Sequence, residues 1–168
     1  MLKELENRRC CRSFDLNKQV EINKVEEVVK AGLYAANAMN QQNGIVVAIT
    51  NKEIRDKLAL LNAQGRGVDT FYGAPVVLLV ASKGPFAELD GGAMLENMLI
   101  EAYNQGLAAC WIHRAKDELA SKEGQELFAS LGIDLKEYTG VGHVILGYPL
   151  NAEYKPKQIK ENRVFWVK

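Results

Sequence analysis

Five consecutive apolar residues, Val76–Val80, follow Pro75 and constrain the fold more than any other stretch of this chain. A strand with one wet face alternates apolar and polar side chains, and this run has no polar face. It therefore predicts a strand in the middle of a sheet with both faces covered. The remaining elements have to supply the covers.

Residues 2–10 read as a short helix with Leu2 and Leu5 on one face, followed by an irregular stretch through Phe14, Asp15 and Asn17. Asn23 with Glu26 three residues on has the capping-box pattern, and Val25, Val28, Val29 and Leu33 predict a second helix to about Ala38. Asn40–Gly44 reads as a polar loop and Ile45–Thr50 as a strand. Asn51 is placed to cap a third helix with Ile54, Leu58 and Leu61 as its stripe, ended by Gly65 and Gly67. After Gly84-Pro85, a long helix from Glu88 or Asp90 to Gln105 uses Met94, Leu95, Met98, Leu99 and Ala102, with Gly106 as its stop. Leu107–Ile112 reads as a strand, Asp117–Leu131 as a helix ended by Gly132, and Val141–Leu146 as a strand closed by Gly147-Tyr148-Pro149. Helices and strands alternate without strict βαβ order, and two helices precede the first strand, which predicts an α+β fold with helices packed on a small mixed sheet. No repeat or linker divides the chain, so residues 1–168 read as a single domain.

Composition excludes several function classes. The 21 Lys+Arg balance the 21 Asp+Glu, so no global field gathers nucleic acid or an anionic membrane. The longest apolar stretches, such as Ala74–Ala81, fall below half of the roughly 20 residues that a membrane span requires. Charges at Lys3, Glu4, Glu6, Arg8 and Arg9 leave no apolar leader core, so secretion is not expected. The cysteines, Cys10, Cys11 and Cys110, are odd in number, and the adjacent pair closes only a strained ring, which implies a reduced, cytoplasmic setting. His113 and His143 stand in no ligand spacing, so no metal site is expected.

Three features carry candidate chemistry. Arg8-Arg9-Cys10-Cys11-Arg12 offers three guanidinium groups in five residues, suited to holding a dianion or equally to lying solvated near a helix C-terminus. Lys155, Lys157, Lys160 and Arg163 form a basic tail interrupted only by the acids Glu153 and Glu161, either completing a phosphate pocket or simply solvated. Asn37, Asn40, Gln41, Gln42 and Asn43 supply paired donors and acceptors, fit to read a heterocycle edge or to make turns. Neither glycine-rich phosphate-loop pattern occurs.

These features, in this order, resemble the nitroreductase family of FMN-dependent oxidoreductases. The family opens on R-R-S-x-R-x-F, and here Arg8, Arg9, Cys10, Cys11, Arg12, Ser13 and Phe14 match it except that cysteine replaces the serine. Asn40 and Gln42 retain the amides of its P-S-x-x-N-x-Q-P segment, whereas Ala36, Asn37 and Asn43 replace the prolines and serine. Phe71-Tyr72-Gly73-Ala74-Pro75, Asp90–Ala102, Gly106-Leu107, Cys110-Trp111-Ile112 and Gly147-Tyr148-Pro149 extend the resemblance from about residue 3 to the C-terminus.

The resemblance implies an intertwined homodimer with flavins at the subunit interface. It implies an FMN phosphate held by Arg8, Arg9 and Arg12 with Lys160 or Arg163, and a weaker contact from the Cys10 thiol than a hydroxyl would give. It places Asn37, Asn40 and Gln42 near the flavin of the partner subunit, and Trp111, Ile112, His113 and Arg114 on the backbone that passes the flavin ring. The implied activity is ping-pong transfer of hydride from NADH or NADPH through flavin to a small electron-poor acceptor such as a nitroaromatic or quinone, with no side chain required as catalytic acid or base. The competing expectation is a flavin-binding sensor or FMN store with little turnover, because several departures from the family pattern lie near the flavin.

Overall fold

The run after Pro75 lies in the middle of a sheet. In a computed structural model, which describes residues 1–150 and 154–168, β2 spans Val76–Ser82 and every residue of it is buried. It pairs on one side with β1 (Ile45–Ile49) and on the other with β4 (Thr139–Gly147), and β4 pairs with β3 (Ala108–Ile112), giving the order β1-β2-β4-β3. Strand alternation divides the core. Val77, Leu79 and Ala81 point to one face with Cys110 and Ile145, against Leu58, Phe71, Leu119, Phe128 and Leu135. Val76, Leu78 and Val80 point to the other with Val144 and Leu146, against Val25, Val28, Met94, Leu95 and Met98. Each such side chain contributes about 1.5–3 kcal/mol by leaving water.

The sheet is antiparallel, not mixed: all three strand pairs run in opposite directions. The registers give the reason. Ile49 at the end of β1 sits beside Val77 at the start of β2, and Ser82 at the end of β2 sits beside Thr139 at the start of β4. The β1–β2 and β3–β4 connections return the chain to the end of the sheet it has just left, whereas the long β2–β3 connection carries it to the opposite end, where Ala108 pairs with Gly147. Among the described residues, parallel pairing is confined to an isolated bridge between Cys10 and Ala109.

Helix α1 covers Lys3–Asn7 and not residues 2–10, because Arg8 is already extended (φ −61°, ψ 142°) and the Cys11 N–H donates to the Ala109 carbonyl at 2.9 Å. Helix α2 (Ile22–Leu33) starts one residue before Asn23 and has no side-chain cap, so the capping box does not form. It ends short of Ala38, where the chain enters a 3₁₀ turn (Ala38–Asn40) whose Ala38 N–H donates to Asp90 Oδ1 at 2.9 Å. Helix α3 (Lys52–Ala63) is capped as expected, Asn51 accepting from the Ile54 N–H at 3.1 Å. Helix α4 (Ala87–Asn104) is followed by Gly106 at φ +72°.

The single helix expected over Asp117–Leu131 is two, α5 (Ala115–Ala120) and α6 (Lys122–Ser130). Ser121 is extended between them; its hydroxyl donates to the Glu118 carbonyl at 2.7 Å and accepts from the Gly124 N–H at 3.0 Å. One side chain thus closes one helix and caps the next. Residues 154–168 are exposed and form neither helix nor strand, and Glu153 lies outside the described residues. Among the described residues, no helix is long and apolar enough to cross a membrane.

Candidate functional site

Residues 8–12 leave α1 in extended form, so Arg8, Cys10 and Arg12 alternate with Arg9 and Cys11 along the chain. The guanidinium groups of Arg8 and Arg12 both act on the Cys10 sulfur. That thiol is held down to about 5 from its ordinary 9.0, first by a hydrogen bond from the Cys110 thiol, against the opposing effect of burial, then by the Trp111 N–H and the charges of Arg12 and Arg8. Arg8 is oriented from behind by Glu96 of α4: Nε and Nη2 approach Glu96 Oε1 at 3.2 and 3.0 Å, and Nη2 approaches Oε2 at 3.3 Å. Arg12 lies with its guanidinium carbon 5.8 Å from the Tyr72 ring centre. Cys11 turns inward, is buried, and donates to the Ser13 carbonyl at 3.1 Å.

Arg9 behaves differently. Its guanidinium is spent on main-chain carbonyls of Glu6, Arg8 and Lys155 at 2.7, 2.7 and 3.2 Å. Arg8 and Arg9 also border a cavity of about 330 Å³ with Leu99, Tyr103, Pro149 and Tyr154.

The bridge from Cys10 to Ala109 sets this positive segment beside β3 and the turn that follows it. Trp111 is partly exposed, and its indole covers Gly142 of β4, where a Cβ would come within 2.3 Å of Nε1. Ile112 is half-buried, and the chain then turns through His113 to Arg114, which adopts φ +78°. The His113 carbonyl is pinned by Asn62 Nδ2 at 2.7 Å, and the same amide donates to the buried Glu118 carboxylate. Glu118 Oε2 lies 3.0 Å from Nε2 of His143, off the line of a good hydrogen bond, and both side chains are essentially inaccessible. Arg114 extends away to Gln64 Oε1 at 3.1 Å.

Sequence reasoning weighed His143 only as a metal ligand and missed the Asn62–Glu118–His143 chain. The usable signal was a histidine inside an otherwise apolar strand, which demands a buried partner. No group of three or more potential ligands for a metal exists among the described residues.

The carboxamides gather elsewhere. Asn37 Oδ1 accepts from the Gln42 N–H at 2.9 Å, and Gln42 Nε2 donates to Asn40 Oδ1 at 3.3 Å, so much of their capacity holds the loop itself. Met39, Asn40 and Gln42 all have φ between 51° and 53°. Asn37 and Gln42 line a cavity of about 150 Å³ with Asp90 and Met94, separate from the one beside Arg8 and Arg9. The fold thus brings residues 8–12 to Trp111 and leaves Asn37, Asn40 and Gln42 apart from them within one chain. Lys160 and Arg163 are exposed on the tail, and neither makes an ion pair among the described residues.

The family model described as "Nitroreductase family" matches residues 5–66 and 60–148. No curated protein matches the sequence. Among solved structures, a nitroreductase with bound FMN from Bacteroides fragilis superposes with a TM-score of 0.87 at 24% identity, covering 99% of this chain and 97% of that one. A BluB-like flavoprotein from Clostridium difficile gives 0.82 at 21%, covering 99% and 98%. A putative NADH oxidase from Clostridium acetobutylicum gives 0.78 at 24%, covering 98% and 99%.

Proposed function

Because the chain belongs to the nitroreductase family, we propose that it binds FMN and works as an NAD(P)H-dependent flavin oxidoreductase on a small electron-poor acceptor. The observation that carries this reading is the placement of Arg8, Cys10 and Arg12 on alternate positions of an extended segment that pairs with Ala109 of β3, the strand leading into Trp111–Arg114.

The residues present fit the group. The charges of Arg12 and Arg8 both act to lower the pKa of the Cys10 thiol between them, the sign of field that a phosphate dianion needs. Arg8 arrives already oriented by Glu96, so less rotamer freedom is lost on binding. Arg8 and Arg12 would hold the phosphate, with Cys10 in the position between them. The backbone of Ile112–Arg114, fixed from below through Asn62, would supply N–H groups at the ring edge, and Trp111 would bound the ring's position.

When bound, FMN supplies the acceptance of hydride from a reduced nicotinamide and its donation to a second substrate in ping-pong order. This chain's residues orient and bind, and none is required to move a proton. His113 would place a polar group at the mouth of the ring site, whereas the Arg114 side chain is drawn off to Gln64.

Two copies would pair. The exposed tail carries Ile159, Val164, Phe165, Trp166 and Val167, at 74, 65, 87, 82 and 99% exposure, more apolar surface than a lone subunit keeps in water. Pairing would also bring the Asn37–Gln42 loop of one copy to the arginine segment of the other. Steady-state rates with NADH or NADPH against a quinone test the function: parallel double-reciprocal lines support it, and intersecting lines overturn the ping-pong order. Light scattering at elution tests the assembly, a mass near twice 18.7 kDa being expected.

A further inference from the structure

The turn between β3 and α5 is held in a conformation that its own residues do not favour. Arg114 adopts φ +78°, a left-handed backbone that a residue with a side chain keeps only where its surroundings impose it. Three contacts impose it. The His113 carbonyl accepts from Asn62 Nδ2 at 2.7 Å, the Arg114 carbonyl accepts from the Glu118 N–H at 3.1 Å, and the Arg114 guanidinium donates to Gln64 Oε1 at 3.1 Å. The Arg114 N–H, by contrast, has no acceptor among the described residues.

Peptide planarity turns the Asn62 contact into a direction. The His113 carbonyl and the Arg114 N–H belong to one trans peptide unit and so point opposite ways. With the carbonyl drawn in to the buried Asn62 of α3, the N–H faces away from it. The Asn62 amide itself stands between two acceptors, the His113 carbonyl and Glu118 Oε1, and only its NH2 end can serve both. Glu118 Oε2 faces His143 Nε2 at 3.0 Å, so a proton on either of those two atoms leaves Oε1 an acceptor. His143 lies on β4 opposite Ile112, the last residue of β3, so this buried chain of side chains ties the turn to the sheet.

We propose that Asn62 is a positioning residue that aims the Arg114 N–H at the edge of the flavin ring, a role that rests on the flavin reading above. Glu118, braced on His143, keeps the Asn62 amide from turning over. All three side chains are buried and act through the backbone of the turn. A donor fixed before the ring arrives loses no freedom on binding, which is what the strained Arg114 backbone secures.

Two-dimensional proton–nitrogen spectra of the full-length protein, recorded without and with added FMN, read the donor directly. In the wild type the Arg114 amide proton should move downfield on addition of FMN, as a proton entering a hydrogen bond does. In Asn62→Ala that movement should be lost, and FMN affinity should fall about tenfold. Glu118→Gln still offers Asn62 an acceptor and turns its own NH2 to His143, so the movement should survive there. The wild type carries a test that needs no variant: the buried Asn62 side-chain amide protons should exchange slowly with heavy water. FMN bound without movement of the Arg114 amide, full movement in Asn62→Ala, or fast exchange at Asn62 overturns the positioning role. Loss of the movement in Glu118→Gln overturns the bracing by Glu118. A wild type whose absorbance shows no FMN uptake overturns the flavin reading, and this role with it, which sets that failure apart from the others.

Discussion

Arg8, two residues before the Cys10–Ala109 bridge, is gripped by Glu96 from the middle of α4, through three nitrogen–oxygen contacts of 3.0 to 3.3 Å. The two residues are far apart in sequence, and the contact ties the opening segment to the helix that covers one face of the sheet. Both side chains keep some exposure, 22% and 41%, so the pair is worth only about 0–1 kcal/mol to stability.

That modest worth makes the arginines separable from the fold. Arg8→Ala with Arg12→Ala should leave the melting temperature nearly unchanged, because Glu96 is left in contact with water. Each lost charged hydrogen bond to phosphate costs about 1.5–3 kcal/mol, so FMN binding should weaken by about tenfold or more per residue. Flavin content after gel filtration checks this; full retention in the double variant contradicts the phosphate role.

Glu118 should matter to stability far more than Arg8. Its carboxylate is buried against His143 and Asn62, and Glu118→Ala strands both partners in an apolar interior. The expected loss is about 3–5 kcal/mol, or roughly 10 °C in melting temperature for a chain of this size. Thermal unfolding followed by circular dichroism reads it, and a shift of a degree or two would show that the network does not hold the β3–α5 turn.

Two glycines of β4 should respond in opposite ways to the same change. At Gly142 a Cβ would meet Trp111 Nε1 at 2.3 Å, and the indole is 37% exposed and free to swing outward. At Gly140 a Cβ would sit 2.1 Å from the Ala115 carbonyl oxygen, which is backbone and cannot yield. Gly142→Ala should therefore fold, at a cost of about 1–3 kcal/mol, with red-shifted tryptophan emission. Gly140→Ala should fail to accumulate as folded protein. The other tryptophan, Trp166, is already exposed and will not mask the shift.

Cys10 gives the pH dependence a sign. Its thiol is held at about 5 against an ordinary 9.0, chiefly by the Cys110 hydrogen bond. A folded-state value below the unfolded one means that the unfolded chain binds more protons across this window. The stabilisation is complete above about pH 9, shrinks as pH falls, and is gone below about pH 5. Alkylation of Cys10 by iodoacetamide, followed by peptide mass spectrometry, should reach half its maximal rate near pH 5; a midpoint near 9 contradicts the thiolate.

Much of the fold was legible because its signals are local. The apolar run at Val76–Val80, the Asn51 cap and the Gly106 stop each act within a few residues of the element they define. What was not legible depended on distant partners. The end of α1 is set by the Cys10–Ala109 bridge, and the antiparallel sense of the sheet by β4 coming to lie between β2 and β3. Ser121 was hidden inside a helical pattern because its two capping bonds become visible only once the helix breaks there. At the candidate site, the arginines and carboxamides were found by residue type. Glu96 and Glu118 were not, since an acid on a helix looks solvated until the fold sets Arg8 or His143 beside it.

A visible absorption spectrum of the purified protein, repeated anaerobically after addition of NADH or NADPH, reaches the central claim most directly. Flavin bands that bleach on addition and return with a quinone or nitroaromatic are expected. Bands that persist contradict an oxidoreductase and favour a flavin-binding sensor or store, and a colourless protein that takes up no added FMN contradicts the cofactor assignment itself.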